Sequence, residues 1–132
     1  MSITAPQSLE KPLVHEITND EDVIKITKEN RIVIFKLGAR WCGPCQACTP
    51  KFHNLAEKYS LFKDLNKNMV VFASVDIDNY EGFSDLITSI PAFIFAVDGV
   101  IQHNNILVGA DLDPVENYVI PQIEKLQNTT KI

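Results

Sequence analysis

"RIVIFKLGARWCGPCQAC", residues 31–48, joins a β-branched, apolar run to a cluster holding all three cysteines of the chain. The run over 31–38 is nearly continuous in its apolarity. That is the pattern of a central strand covered on both faces, not the alternation of a half-exposed one. From Pro44 the period changes: Ala47, Cys48, Phe52, Leu55, Ala56 and Tyr59 recur at spacings of three and four. A helix therefore begins inside the cysteine cluster and turns that stripe inward. Pro50 removes one amide from its hydrogen-bond ladder and predicts a kink.

The flanks continue the alternation of strand and helix. "LVHEIT" (13–18) reads as a short peripheral strand, and Thr18 with Glu21 at capping-box spacing opens a helix over 20–28, with Val23 and Ile26 or Thr27 inward. Residues 60–68 extend the cysteine helix or form a loop, and Leu61, Phe62 and Leu65 are expected to continue its buried stripe, the alternative being a partner surface. Residues 69–77 form a second buried strand, 80–89 a short helix, and 91–97 a third core strand. Asp98-Gly99 between apolar runs predicts a hairpin, so 100–108 returns antiparallel. Asp113-Pro114 opens a last helix that buries Val115, Val119, Ile123 and Leu126 and bends at Pro121. The order β-α-β-α-β-α-β-β-α predicts an α/β fold, a mixed sheet with helices on both faces and its last strands antiparallel. Residues 11–128 are expected to form one domain, with an N-terminal arm over 1–10 and a tail over 129–132.

A chain of 132 residues suits a single core, and its formal net charge of −5 argues against nonspecific nucleic-acid or anionic-membrane binding. The N-terminus lacks the positive run and apolar core of a secretory signal, and no apolar stretch approaches the roughly 20 residues that span a bilayer. Clustered cysteines cannot make the spread framework of a secreted mini-domain. A cytoplasmic or other reducing intracellular compartment is expected, and a monomer.

The placement of the cysteines says more than their spacing. Cys42 falls at the tip of a helix, where unsatisfied N–H groups and the dipole favour an anion and lower a thiol's pKa. Gly43 permits a tight turn, and Pro44 suits the first helical turn. Cys45, one turn on, is near enough to close a small ring with Cys42. Trp41 can shield the pair and Arg40 adds positive charge. The alternative is a metal site built from Cys42, Cys45, Cys48 and His53. An iron–sulfur cluster normally takes a fourth cysteine, and zinc needs its ligands to converge, whereas a helix spreads these along one side.

"WCGPC" after a β-branched strand resembles the active site of the thioredoxin family, and the likeness covers nearly the whole chain. Pro50 stands where that family's active-site helix is kinked. Ile90-Pro91 resembles its cis-proline facing the dithiol, and Val108-Gly109-Ala110 the glycine segment bordering its substrate groove. The resemblance implies a thioredoxin fold with an N-terminal β-α extension, and a protein-disulfide reductase with no metal or organic cofactor. It implies thiol–disulfide exchange in which Cys42 attacks and Cys45 resolves. Trp41, Gly43, Pro44, Ile90, Pro91 and Gly109 would form the contact surface for disulfide-containing protein substrates. A flavoprotein of the thioredoxin-reductase type, using NADPH, would recharge the pair. The other reading keeps the fold as a binding module or complex subunit whose redox turnover is incidental.

Lys36 departs from the pattern. It interrupts an apolar strand and stands where the family has a buried aspartate that aids proton transfer at the second cysteine. Either the ammonium snorkels to water, or a cation behind the dithiol stabilises thiolates. The second option makes the couple less negative than thioredoxin's roughly −270 mV. Asp76 could answer Lys36 from the adjacent strand. Cys48 reads as a buried core residue, with a regulatory thiol as the sharper alternative.

Overall fold

A computed structural model describes residues 13–64 and 67–130. The predicted arm over 1–10, Leu65 and the last two residues of the predicted tail lie outside them. The elements are β1 (Val14–Ile17), α1 (Asp20–Glu29), β2 (Ile32–Gly38), α2 (Gly43–Tyr59), β3 (Lys63–Asp64), β4 (Lys67–Asn68), β5 (Val70–Asp76), β6 (Ala92–Val97), β7 (Val100–Ile101), β8 (Leu107–Val108) and α3 (Asp113–Thr130).

Strand β2 is central, as its apolar run demands, and all seven of its residues are buried. The main sheet has the order β1-β5-β2-β6-β7, with β8 also on β6. Strands β1, β5 and β2 are parallel and β6 runs against β2. On one face Ile32 and Ile34 meet α2 and α3 through Phe52, Tyr59, Val115, Val119, Ile123 and Leu126. On the other, Val33, Phe35 and Leu37 meet Ile26 of α1 and Phe83. A mixed sheet with helices on both faces is thus the architecture. The Asp98-Gly99 turn joins β6 to β7 with both residues at positive φ, +49° and +83°. Arg31 holds the turn to the start of β2 through a 2.6 Å ion pair with Asp98.

Several local expectations are corrected. The cap of α1 is Asn19, not Thr18: Asn19 Oδ1 accepts the Asp22 N–H at 2.8 Å, and the Asp22 carboxylate reaches back to the Thr18 N–H at 2.9 Å. Residues 80–89 hold only a 3₁₀ turn, Ser84–Leu86. Phe83 plugs against Phe35 with ring centroids 4.9 Å apart, and the residue before a proline disfavours helix, so the segment cannot wind on into Pro91. Ala47 is exposed. Helix α2 stops at Tyr59, leaving Leu61 83% exposed instead of continuing the stripe, while Phe62 stacks on Tyr59. Beyond it β3 and β4 pair as a small antiparallel ribbon, neither helix nor plain loop. The return over 100–108 is split into β7 and β8 by a 3₁₀ turn at His103–Asn105.

Helices α2 and α3 are tied at their outer edge. Glu116 Oε2 accepts from Lys58 Nζ and from the Tyr59 hydroxyl, each at 2.7 Å. The Lys58 hydrogen bond and then that of Tyr59 hold the Glu116 carboxyl below its ordinary range. A carboxylate with a depressed folded pKa contributes stability above its unfolded pKa and loses it as pH falls through the folded value. Glu116→Gln is therefore expected to cost from a few tenths to about 1 kcal/mol at neutral pH. The cost should vanish in acid, as read by urea unfolding at several pH values.

Candidate active site

The link between β2 and α2 places the cysteines where the topology opens the end of the sheet. Cys42 is the N-cap of α2, with extended backbone (φ −92°, ψ 108°), and Pro44 lies in the first turn. Its amide donates to Ala39 O at 3.2 Å, and its Sγ accepts the Cys45 N–H at 3.2 Å. A helix-tip amide that would otherwise be unsatisfied thus points at sulfur, the environment that favours a thiolate. Cys42 and Cys45 are joined as a disulfide with their Cα atoms 5.3 Å apart. Cys45 is 1% exposed and Cys42 7%, so the pair is unequal in access. Ala39, Ile77 and Ile90 pack around it.

The Ile90-Pro91 peptide is cis, and the Ile90 carbonyl oxygen lies 4.0 Å from Cys42 Sγ. Gly109 donates its N–H to Pro91 O at 2.9 Å with φ at +119°, a conformation that side-chain-bearing residues rarely adopt. The Ile90 segment therefore meets Cys42, and the Gly109 segment is tied to it through Pro91. Trp41 is 70% exposed, and its Nε1 donates to Asp78 Oδ2 at 3.0 Å. Gly43 and Pro44 are exposed beside it. Gly43 does not serve a tight turn: it has no left-handed φ, and an added Cβ would meet nothing within 4 Å.

Behind the disulfide is a cavity of about 290 Å³ lined by Cys45, Lys36, Thr49, His53, Glu16 and Asp76 among others, with exposed Arg40 also on its wall. Lys36 lies on the wall of this cavity. It is 7% exposed, and its Nζ donates to Thr49 Oγ1 at 3.2 Å. Burial pushes its pKa down, partly offset by Cys48 and then Glu16. Asp76 is not its partner: it lies across from Gly38, two positions along, and its Oδ1 accepts the Asp78 N–H. Cys48 is 2% exposed and its thiol donates to Cys45 O at 3.4 Å. The conceivable metal set is not assembled, because two of its sulfurs are bonded to each other. Among the described residues no group of three or more metal-ligating side chains converges.

Sequence reasoning missed Asp78, Thr49 and Gly38. Asp78 and Trp41 are 37 residues apart, and nothing local links them. Gly38 reads in the sequence as a strand end, yet a Cβ there would sit 3.1 Å from Cys45 Cβ and 3.2 Å from its Sγ.

An α/β domain presenting a helix-tip dithiol–disulfide pair against an Ile-Pro shelf is a thiol–disulfide oxidoreductase. The comparisons with known proteins agree. The family model described as Thioredoxin matches residues 13–120. The chain is 35% identical over 109 residues to a thioredoxin of Coprinus comatus, covering 81% of this chain and 95% of that one. It is 34% identical over 88 residues to thioredoxin-3 of Dictyostelium discoideum, covering 65% and 76%. The solved Plasmodium falciparum thioredoxin superposes with a TM-score of 0.67 at 28% identity, over 85% of this chain and 98% of that one. The chain belongs to the thioredoxin family, which works through its cysteine pair without a further cofactor. Among the described residues no helix is long and apolar enough to cross a membrane.

Proposed function

We propose that Cys42 is the attacking thiolate and Cys45 the resolving thiol of a reductase for protein disulfides. The observation that carries this is the asymmetry of the pair: Cys42 caps the helix and faces the shelf, while Cys45 is sealed behind it. Cys42 thiolate attacks one sulfur of the substrate disulfide, and the other sulfur leaves with the electron pair and takes a proton. Cys45 then displaces the remaining substrate sulfur from Cys42, forming the Cys42–Cys45 bond and releasing a second thiol. Two electrons pass from protein to substrate.

Trp41, Gly43, Pro44, Ile90, Pro91 and Gly109 offer the contact surface, the bare Gly43 keeping it flat beside the nucleophile. An extended substrate segment would hydrogen-bond to the Ile90 backbone. A flavoprotein reductase using NADPH recharges the pair, in a reducing intracellular compartment. Arg40 adds positive charge on the cavity side, and the domain, over about 11–128, acts as a monomer.

Cys45→Ser tests the assignment. With resolution blocked, it is expected to accumulate a mixed disulfide between Cys42 and a disulfide-containing protein such as insulin, seen as a reducible adduct by mass spectrometry. Adducts of that variant at Cys48 instead of Cys42, or none at all, would overturn it.

A further inference from the structure

Among the described residues Lys36 is the one charged side chain in the buried set. Register puts it level with Ser74 on β5, and Ser74 level with Glu16 on β1, so a polar row crosses three parallel strands. All three residues line the cavity of about 290 Å³. Its rim carries exposed side chains, Arg40, Gln46, His53 and Asn79 among them, so a small molecule can enter from solvent.

The amine is anchored on one side and left open on the other. Lys36 Nζ donates to Thr49 Oγ1 at 3.2 Å, and Thr49 Oγ1 spends its own proton on Cys45 O at 3.0 Å. An added Cβ at residue 38 would sit 3.7 Å from Lys36 Nζ and 3.2 Å from Cys45 Sγ, so Gly38 keeps a gap beside the nitrogen. Burial pushes the Lys36 pKa down, with Cys48 and then Glu16 opposing. Desolvation of this kind favours the neutral amine, which is the nucleophilic form.

The charges around the cavity are mixed. Lys36 and Arg40 stand against Glu16 and Asp76, so neither a free anion nor a free cation meets a field of one sign. A neutral polar molecule instead finds donors and acceptors in Gln46, Asn79 and Ser74.

We propose that this cavity binds a short, neutral, hydroxylated aldehyde and that Lys36 captures it reversibly as an imine. The Nζ lone pair adds to the carbonyl carbon, and the carbonyl oxygen takes a proton to give a carbinolamine. A second proton, from solvent or from His53 on the cavity wall, lets the hydroxyl leave as water. Loss of the N–H proton then leaves the imine, and water added back releases aldehyde and amine, with no change of oxidation state. An adduct on Nζ lies no more than about 7 Å from Cys45 Sγ, so a carbonyl ligand is brought to the back of the redox pair. The titratable and charged groups around the amine are Glu16 from β1, Asp76 from β5, Arg40 from the β2–α2 link, and Cys48 and His53 from α2.

The test uses the intact, disulfide-bonded protein, in which Cys42 and Cys45 cannot compete for the aldehyde. Glycolaldehyde is added near neutral pH with cyanoborohydride, which reduces imines to stable amines and leaves the disulfide in place. Peptide mass spectrometry then locates the modified lysines. Lys36 is expected to react at least about tenfold faster than the exposed Lys25, Lys28 and Lys51, the gain in neutral amine that one pKa unit gives. Its rate should level off as glycolaldehyde is raised, while theirs climb in proportion. No modification of Lys36, or a rate within about twofold of theirs, would overturn the capture. A strictly proportional rise at Lys36 would overturn the binding site and leave only a reactive amine.

Discussion

Cys42→Ser is expected to abolish reduction of insulin disulfides, lowering the rate by at least about a thousandfold, as removal of a nucleophile does. A serine hydroxyl at the same helix tip would accept the Cys45 N–H as the sulfur does, so the fold and the cap survive. What is lost is an anion at working pH. A thiol at the tip of α2 ionises because amides and dipole favour the thiolate; an alcohol there does not, and cannot form the mixed disulfide. The turbidity assay with a dithiol reductant as electron source reads this directly. Equal rates in Cys42→Ser and wild type would leave only the binding-module reading.

Phe52→Ala is expected to cost about 3–5 kcal/mol, the usual range for a buried phenylalanine. Phe52 is 1% exposed and lies between the sheet and α2, with its ring 5.2 Å from Phe72 and 5.9 Å from Phe93. Its truncation opens a cavity bounded by rigid strands, where little can collapse inward. The loss is a large share of the roughly 5–15 kcal/mol that holds a domain together. Thermal unfolding should show the midpoint lowered by about 10–20 °C. Protein that remains folded should keep its exchange chemistry, because Phe52 lies about two helical turns from Cys45. A cost below about 1 kcal/mol would show that the site repacks.

Much of this is legible in the residues alone. Apolarity over Ile32–Leu37, broken only at Lys36, puts β2 in the middle of the sheet, and the change of period at Pro44 puts a helix tip on Cys42. The stripe of α3 is as expected because strict helical periodicity leaves few alternatives. Failures come where local pattern is weak or overridden. The 80–89 segment has helical composition, but burial of Phe83 and the following Ile90-Pro91 stop it after one 3₁₀ turn. Leu61 fits a helical stripe that ends two residues earlier, so it emerges exposed.

The sequence by itself determined the α/β class, the inequality of the three cysteines and the anomaly of a lysine in a core strand. These depend on periodicity and on the chemistry of a helix terminus, both local. Tertiary structure alone decided which distant groups meet: Ile90 at Cys42, Gly109 on Pro91, Asp78 on Trp41, and Glu16 rather than Asp76 in the row with Lys36. Strand register fixes those encounters, and register is set by how whole faces pack. For the same reason the lysine's destination was hidden. Only the packed helix shows that it ends on Thr49 beside the gap at Gly38, facing the buried sulfur.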